Sequence, residues 1–315
     1  MITFTVLGFA SQFIARIALR KRHGPLVWFI RQCADFLLGI CPTLLGVTIL
    51  SEVFIHLIGS DPFYTAVFAL LMTLFIGIFG LYNARYPKVI VVPLTNSKLS
   101  EPIRFVQISD VHIGSRSGQF LARVINQVKQ CDADFLCITG DFIDQHGVSE
   151  ATLKPLTELN IPIYFSTGNH EFYEDFDAIM QRLNNLGVQV LRNQVIQQHN
   201  IEIIGVDDSS NTSHLKNRLQ ELTLTADKFK LLMFHRPQGL EDAAASGIDL
   251  KISGHTHDGQ IWPFNWLVKT QFKYLKGLHQ LDNTYLYVNQ GTGTWGPTMR
   301  IGTQCEITLF ELTPS

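Results

Sequence analysis

A surplus of charge is missing from this sequence. Its 315 residues carry 25 Lys and Arg against 27 Asp and Glu, a formal net charge of −2. Without a basic excess there is no electrostatic footprint for nucleic acid, and none is expected as a partner. Cysteine is scarce as well. The five present (Cys33, Cys41, Cys131, Cys137, Cys305) are an odd set without framework spacing, and two lie in apolar segments, which excludes a disulfide scaffold and points to a reducing compartment. A small-residue cleavage site after residue 20 is also lacking, so a cleaved signal peptide is not expected.

What is abundant is apolar residues, 46% of the chain, and they are spread unevenly. Residues 36–51 hold no charge, and the apolar run continues through Val53, Phe54, Ile55, Leu57 and Ile58. A second charge-free stretch runs over 62–84, close to the roughly 20 residues a helix needs to cross the hydrocarbon of a bilayer. Gly59-Ser60-Asp61-Pro62 between them is a turn. Residues 2–19 are apolar but interrupted by Gln12 and Arg16, which leaves an interfacial amphipathic helix and a weak first span both open. Arg16, Arg20, Lys21, Arg22 and Arg31 precede the first clear span, Arg85 and Lys88 follow the second, and the turn has no Lys or Arg. The positive-inside rule then places both flanks in the cytoplasm, under a multi-pass arrangement in the cell (inner) membrane. The expected division is a membrane region over 1–86, a linker over 87–100 containing Pro87 and Pro93, and a catalytic domain over 101–315.

The remainder alternates strand and helix patterns. Strands are expected at 103–109, 135–139, 161–166, 201–206, 230–234, 250–253, 285–288 and 306–310, with helices at 119–129 and 149–159. The first helix shows its period through Phe120, Leu121, Val124, Ile125 and Val128. Such alternation argues an α/β layered fold. Polar residues cluster just after the strands: Asp110 and His112; Gly140-Asp141; Gly168-Asn169-His170-Glu171; His235; and Gly254-His255-Thr256-His257. Sites in open α/β sheets form beyond the carboxyl ends of strands, so segments far apart in sequence can converge there. Asp, Asn and His without Cys are the oxygen and imidazole ligands of manganese, iron, zinc or nickel, and there are enough for two ions.

The ordered set Asp110-x-His112, Gly140-Asp141-x-x-Asp144, Gly168-Asn169-His170-Glu171, His235 and Gly254-His255-Thr256-His257 resembles the calcineurin-like metallophosphoesterases. The block through Gly259-Gln260 and the closing Gly291-Thr292-Gly293 with Arg300 resemble the membrane-associated bacterial branch that includes hydrolases of UDP-2,3-diacylglucosamine; Asp258 departs from it where glycine is usual. The resemblance implies a layered β-sandwich flanked by helices, behind an N-terminal transmembrane hairpin. It implies two divalent ions, manganese foremost. Asp110, His112, Asp141 and His257 would bind one; Asp141, Asn169, His235 and His255 would bind the other, with Asp141 bridging. His170 would act on the transition state or the leaving oxygen, and Asp144 and Glu171 would orient imidazoles.

Between Gly259 and Arg300 stand Trp262, Phe264, Trp266, Phe272, Tyr274 and Trp295, interleaved with Lys269, Lys273 and Lys276. Aromatic and cationic residues together suit a headgroup region, so Trp262, Trp266 and Arg300 are candidate substrate contacts; a packed hairpin finishing the sheet is the other reading of the stretch. The expected activity is metal-dependent hydrolysis of a phosphodiester or pyrophosphate, with a lipid-linked phosphate such as UDP-2,3-diacylglucosamine as the specific substrate. A broader membrane phosphodiesterase and an inactive membrane scaffold are the alternatives.

Overall fold

A computed structural model describes residues 10–11, 14–15 and 24–315. Most of the 2–19 segment, and with it the choice between amphipathic helix and further span, lies outside the described residues.

Two long helices come first, α1 (Pro25–Ile58) and α2 (Pro62–Arg85). Proline begins each, where its missing N–H costs no helical hydrogen bond. Gly59, left-handed at φ 70°, ends α1, and the Asp61 side chain caps α2 by accepting from Phe63 N at 2.8 Å. Both helices are long and apolar enough to cross a membrane, and only 22% and 17% of their most apolar stretches are buried. A core helix of a water-soluble domain would be buried; these turn Leu45, Ile49, Phe54, Phe68, Leu71 and Phe75 outward.

The stretch expected as a linker is instead a strand. β1 (Lys88–Thr95) pairs in parallel with β12 (Glu306–Thr313), Lys88 opposite Glu306 through Thr95 opposite Thr313. Pro93 is tolerated because β1 is an edge strand, where a missing N–H costs no ladder bond on the open side. Val92 and Leu94 point inward while Val89 and Val91 are exposed, the period of a half-buried strand.

Two six-stranded sheets make the rest. One has the order β1-β12-β2-β3-β4-β5, with β2 (Ile103–Ile108), β3 (Phe135–Thr139), β4 (Ile163–Ser166) and β5 (Gln189–Val190). The other has the order β10-β11-β9-β8-β7-β6, with β6 (Gln194–Gln198), β7 (Ile201–Gly205), β8 (Phe229–Met233), β9 (Leu250–Ser253), β10 (Gly277–Leu281) and β11 (Thr284–Val288). Between the sheets lies an apolar layer in which Phe105 stacks on Phe135 and Phe310 at 5.1 and 4.6 Å, with Ile203, Leu231 and Ile252 from the opposite sheet. Alternate residues of the same strands, Val106, Ile108, Leu136 and Ile138, face a second layer built with α3 (Gly118–Gln130), whose buried stripe is Phe120, Leu121, Val124, Ile125 and Val128. A sandwich with helices outside it results. The aromatic stretch after residue 259 divides into a helix, Phe264–Gln271, and the β10–β11 hairpin.

Candidate metal centre

β2, β3 and β4 of one sheet and β8 and β9 of the other end at the same edge of the sandwich, and their following loops meet there. Gln107 spans the two sheets, donating through Nε2 to Thr139 Oγ1 and to Ser253 O at 2.9 and 3.0 Å. The loops are laced by backbone bonds: Asp110 N to Gly140 O, His112 N to Asp141 O, Gly254 N to His235 O and Gly293 N to Asp110 O, all at 2.9–3.1 Å. Asp110, His112, Asp141, His255 and His257 themselves take left-handed backbone, φ between 48° and 75°. Such conformations cost energy in residues with a Cβ and concentrate at functional sites. Gly254 is fixed by space, since a Cβ there would overlap Ser109 Oγ and Asp110 Oδ2.

Two ligand groups result. In one, Asp110 Oδ1 lies 3.3 Å from His257 Nε2, which is 3.1 Å from His112 Nε2. In the other, Asp141 Oδ2 lies 3.1 Å from His235 Nε2, which is 3.2 Å from His255 Nδ1. Within each group the ligand atoms all lie within 4.8 Å of one another. Tautomers follow from the far side of the rings. His235 Nδ1 is 2.8 Å from Thr139 O, and His112 Nδ1 is 3.3 Å from Asp144 Oδ2. Thr139 O can only accept, so His235 Nδ1 carries a proton, and on the neutral ring Nε2 is the nitrogen that offers a lone pair. Ring nitrogens thus stand about 3 Å from a carboxylate oxygen or another imidazole, an arrangement that a cation between them would satisfy. Asn169 Oδ1 is buried at the same place without a hydrogen-bond partner. The donor set fits divalent ions.

Electrostatics agree. Burial opposes a charge on His235, but Asp141 and Asp110 outweigh it and raise its pKa to about 10. The carboxylates thus demand a positive charge in the centre. Burial, with help from charge on His235 and Arg236, pushes His255 down to about 3, and burial takes His257 to about 4. Both are neutral near pH 7, the form that binds a metal.

The supporting residues divide. Asp144 reaches the His112 ring and also accepts from Ser115 N at 2.9 Å, so it fixes that imidazole. Among the described residues the Glu171 carboxylate is hydrogen-bonded to backbone N–H groups and to no imidazole, contrary to expectation. Fully buried, it accepts from Asp141 N, Phe142 N, Ile143 N and Gly168 N at 2.7–3.1 Å, and so shapes the backbone that presents Asp141. Burial and the nearby Asp141 push its pKa up to about 7 against the pull of those donors. His170 donates its backbone N–H to Asp141 Oδ1 at 2.8 Å; its ring stands edge-on to His112 at 4.8 Å, with Nε2 4.0 Å from Asp141 Oδ2.

A cavity of about 370 Å³ opens above the two groups, floored by Asp141, Asn169, His170, His255 and His257 and walled by Phe264, Val268, Phe272 and Trp295. Leu38 and Pro42 of α1 complete the wall, a contribution that no motif signals. The expected substrate contacts are elsewhere. Trp262 and Trp266, 50% and 65% exposed, pair edge to face at 5.6 Å outside the cavity lining. Arg300 is 0% exposed and turns its guanidinium to carbonyl oxygens of His257, Gln290, Gly291 and Gly293 and to His257 Nδ1 at 3.2 Å, which leaves no exposed face for substrate. Asp258 accepts from Lys276 Nζ at 2.7 Å and ties its loop to the segment before β10. Sequence reasoning missed Arg236, which follows the ligand-type His235 directly: it is held by Asp208 at 2.9–3.2 Å and stands 3.3 Å from His255 Nε2.

Residues 103–259 match the family model for calcineurin-like phosphoesterases. The chain is 31% identical over 243 residues to an uncharacterized metallophosphoesterase of Helicobacter pylori, a match covering 72% of this chain and 64% of that protein. It is 31% identical over 280 residues to the Danio rerio transmembrane protein with metallophosphoesterase domain, covering 81% and 64%. To the uncharacterized metallophosphoesterase YkoQ of Bacillus subtilis it is 28% identical over 229 residues, covering 67% and 83%. The chain therefore spans just under two thirds of the length of the first two relatives.

Proposed function

Residues 103–259 being a calcineurin-like phosphoesterase domain, we propose that the chain hydrolyses a phosphodiester or pyrophosphate bond with two divalent ions. The observation that carries this reading is the pair of facing ligand groups at the floor of one cavity. Asp110, His112, Asp141 and His257 hold the first ion, and Asp141, Asn169, His235 and His255 the second. Asp141 is shared because a carboxylate has an oxygen for each. Manganese is the first expectation, and iron, zinc and nickel suit the same ligands. Two such ions supply hydroxide near neutral pH and neutralise the oxygens of a phosphoryl group. The chain's own part is to hold the ligands, through Asp144 on His112 and Thr139 O on His235, and to manage a proton. His170 faces the cavity from the Asp141 side, where it would stabilise the transition state or protonate the leaving oxygen.

In the same reading α1 and α2 cross the cell membrane as a hairpin with the metal centre on the cytoplasmic side, as their basic flanks direct. A substrate borne by the membrane, such as the lipid-linked pyrophosphate UDP-2,3-diacylglucosamine, suits a cavity whose wall is apolar and includes Leu38 and Pro42 of α1. A membrane phosphodiesterase of broader substrate is the second reading, and it uses the same apolar wall.

The test is hydrolysis of bis(p-nitrophenyl) phosphate by the purified chain. Turnover that requires Mn²⁺ and falls about 10²-fold or more in His170→Ala is expected; no metal-dependent turnover sinks the enzyme reading. Release of UMP from UDP-2,3-diacylglucosamine separates the two substrate readings. A C-terminal reporter active only outside the cell overturns the orientation.

A further inference from the structure

Two arginines join the end of α2 to the loops that carry His257 and His112. The backbone N–H of Arg300 donates to Gly80 O of α2 at 2.9 Å, and Asn83 Nδ2 reaches Arg300 O at 3.5 Å. From the same residue the guanidinium donates to His257 O at 2.7 Å and to Gln290 O, Gly291 O and Gly293 O at 2.7, 3.1 and 2.8 Å. Arg116 Nη2 donates to Ala84 O at 2.7 Å, a carbonyl in the last helical turn that has no partner within α2. Its backbone N–H donates to His112 O, also at 2.7 Å.

The second ligand group is supported from inside the domain. His235 rests on Thr139 O, Arg236 beside His255 rests on Asp208, and Glu171 holds the turn before Asn169.

From this division we infer that the helical hairpin is a structural part of the first ion's site, with Arg300 the positioning residue that carries the seat of α2 to His257. The inference rests on the two-ion reading above. A planar fork with five donors can gather four carbonyls from two loops, which an ammonium cannot. Burial makes each of these bonds costly to leave unmade, so a displaced α2 moves the loop rather than stretching the bonds. Contact at the seat is close because residue 80 is glycine: a Cβ there would stand 2.7 Å from Met299 Cγ and 2.9 Å from Ile301 Cγ1. The hairpin thereby does more than tether the domain, and the seating of α2 sets the occupancy of one ion and not the other.

The test counts Mn²⁺ bound per chain after dialysis of the full chain in detergent, by atomic emission, with circular dichroism to confirm folding. Arg300→Lys removes the fork, Gly80→Leu unseats the loop, and Gly46→Leu is the control, since a Cβ at Gly46 meets nothing within 4 Å. The parent and Gly46→Leu chains are expected to hold two ions. Arg300→Lys and Gly80→Leu are expected to hold one, with the Mn²⁺ concentration that half-fills the lost position raised about 10- to 100-fold. Two ions held at parental affinity by both variants overturn the inference, as does loss of both ions together from a folded variant or an equal loss in Gly46→Leu. If Gly80→Leu fails to fold, Arg300→Lys decides alone. A parent chain that holds fewer than two ions sinks the two-ion reading instead.

Discussion

Asp141 and Glu171 show how much a single side chain settles in this centre. Replacing Asp141 by Asn keeps the shape but removes the negative charge and puts an amide N–H2 donor in place of one oxygen, so Asp141→Asn is expected to lower bis(p-nitrophenyl) phosphate turnover at least about 10²-fold; parental turnover would remove Asp141 from the bridging place. Glu171→Ala leaves four buried N–H groups without an acceptor. At about 1–3 kcal/mol for an unsatisfied buried group, a loss of at least about 3 kcal/mol in unfolding free energy is expected from denaturant titration, and a loss below about 1 kcal/mol would contradict the role assigned to it. The Asp and His positions were legible in the sequence because they stand next to strand ends and in a known order. The burial of Arg300 and the outward direction of Trp262 and Trp266 were not legible, because residue type says nothing of burial or direction: a guanidinium suits a phosphate and four carbonyls equally well.

At the scale of the element, β1 is the place where sequence and structure part. Two prolines in 87–100 read as a linker, yet the run Val89, Ile90, Val91, Val92 is a strand sequence, and an edge position accepts Pro93. The alternation gives a test. Leu94 is buried between the sheets and Val91 is not, so Leu94→Ala is expected to cost about 2–4 kcal/mol in urea unfolding and Val91→Thr less than about 0.5 kcal/mol. Equal small effects would return the segment to the status of linker. The strands β2, β3, β8 and β9 were legible from short apolar runs closed by polar turns, whereas β5, with two residues, is too short to leave a pattern.

For the whole molecule, the centre exists only where five loops from two sheets meet, and periodicity cannot report which strands are neighbours. Those loops run from Asp110 to beyond His257 and bring carboxylate oxygens and ring nitrogens to about 3 Å from one another, which a cation among them would satisfy. Ions that bind the folded chain and not the unfolded one stabilise it, by about 4 kcal/mol at a thousandfold excess over Kd. Chelation is therefore expected to abolish turnover and lower the melting temperature together, with Mn²⁺ restoring both; a melting temperature indifferent to chelator would contradict a metal-built centre. The convergence of the loops is also why Leu38 and Pro42 of α1, distant in sequence from every motif, wall the same cavity.

Whether two ions sit astride Asp141 is read by anomalous diffraction at the manganese edge from crystals grown with Mn²⁺. The prediction is two peaks about 3.5–4 Å apart, one beside Asp110, His112 and His257 and the other beside Asn169, His235 and His255, with the Asp141 carboxylate between them. A single peak, or two peaks that Asp141 does not touch, would contradict it.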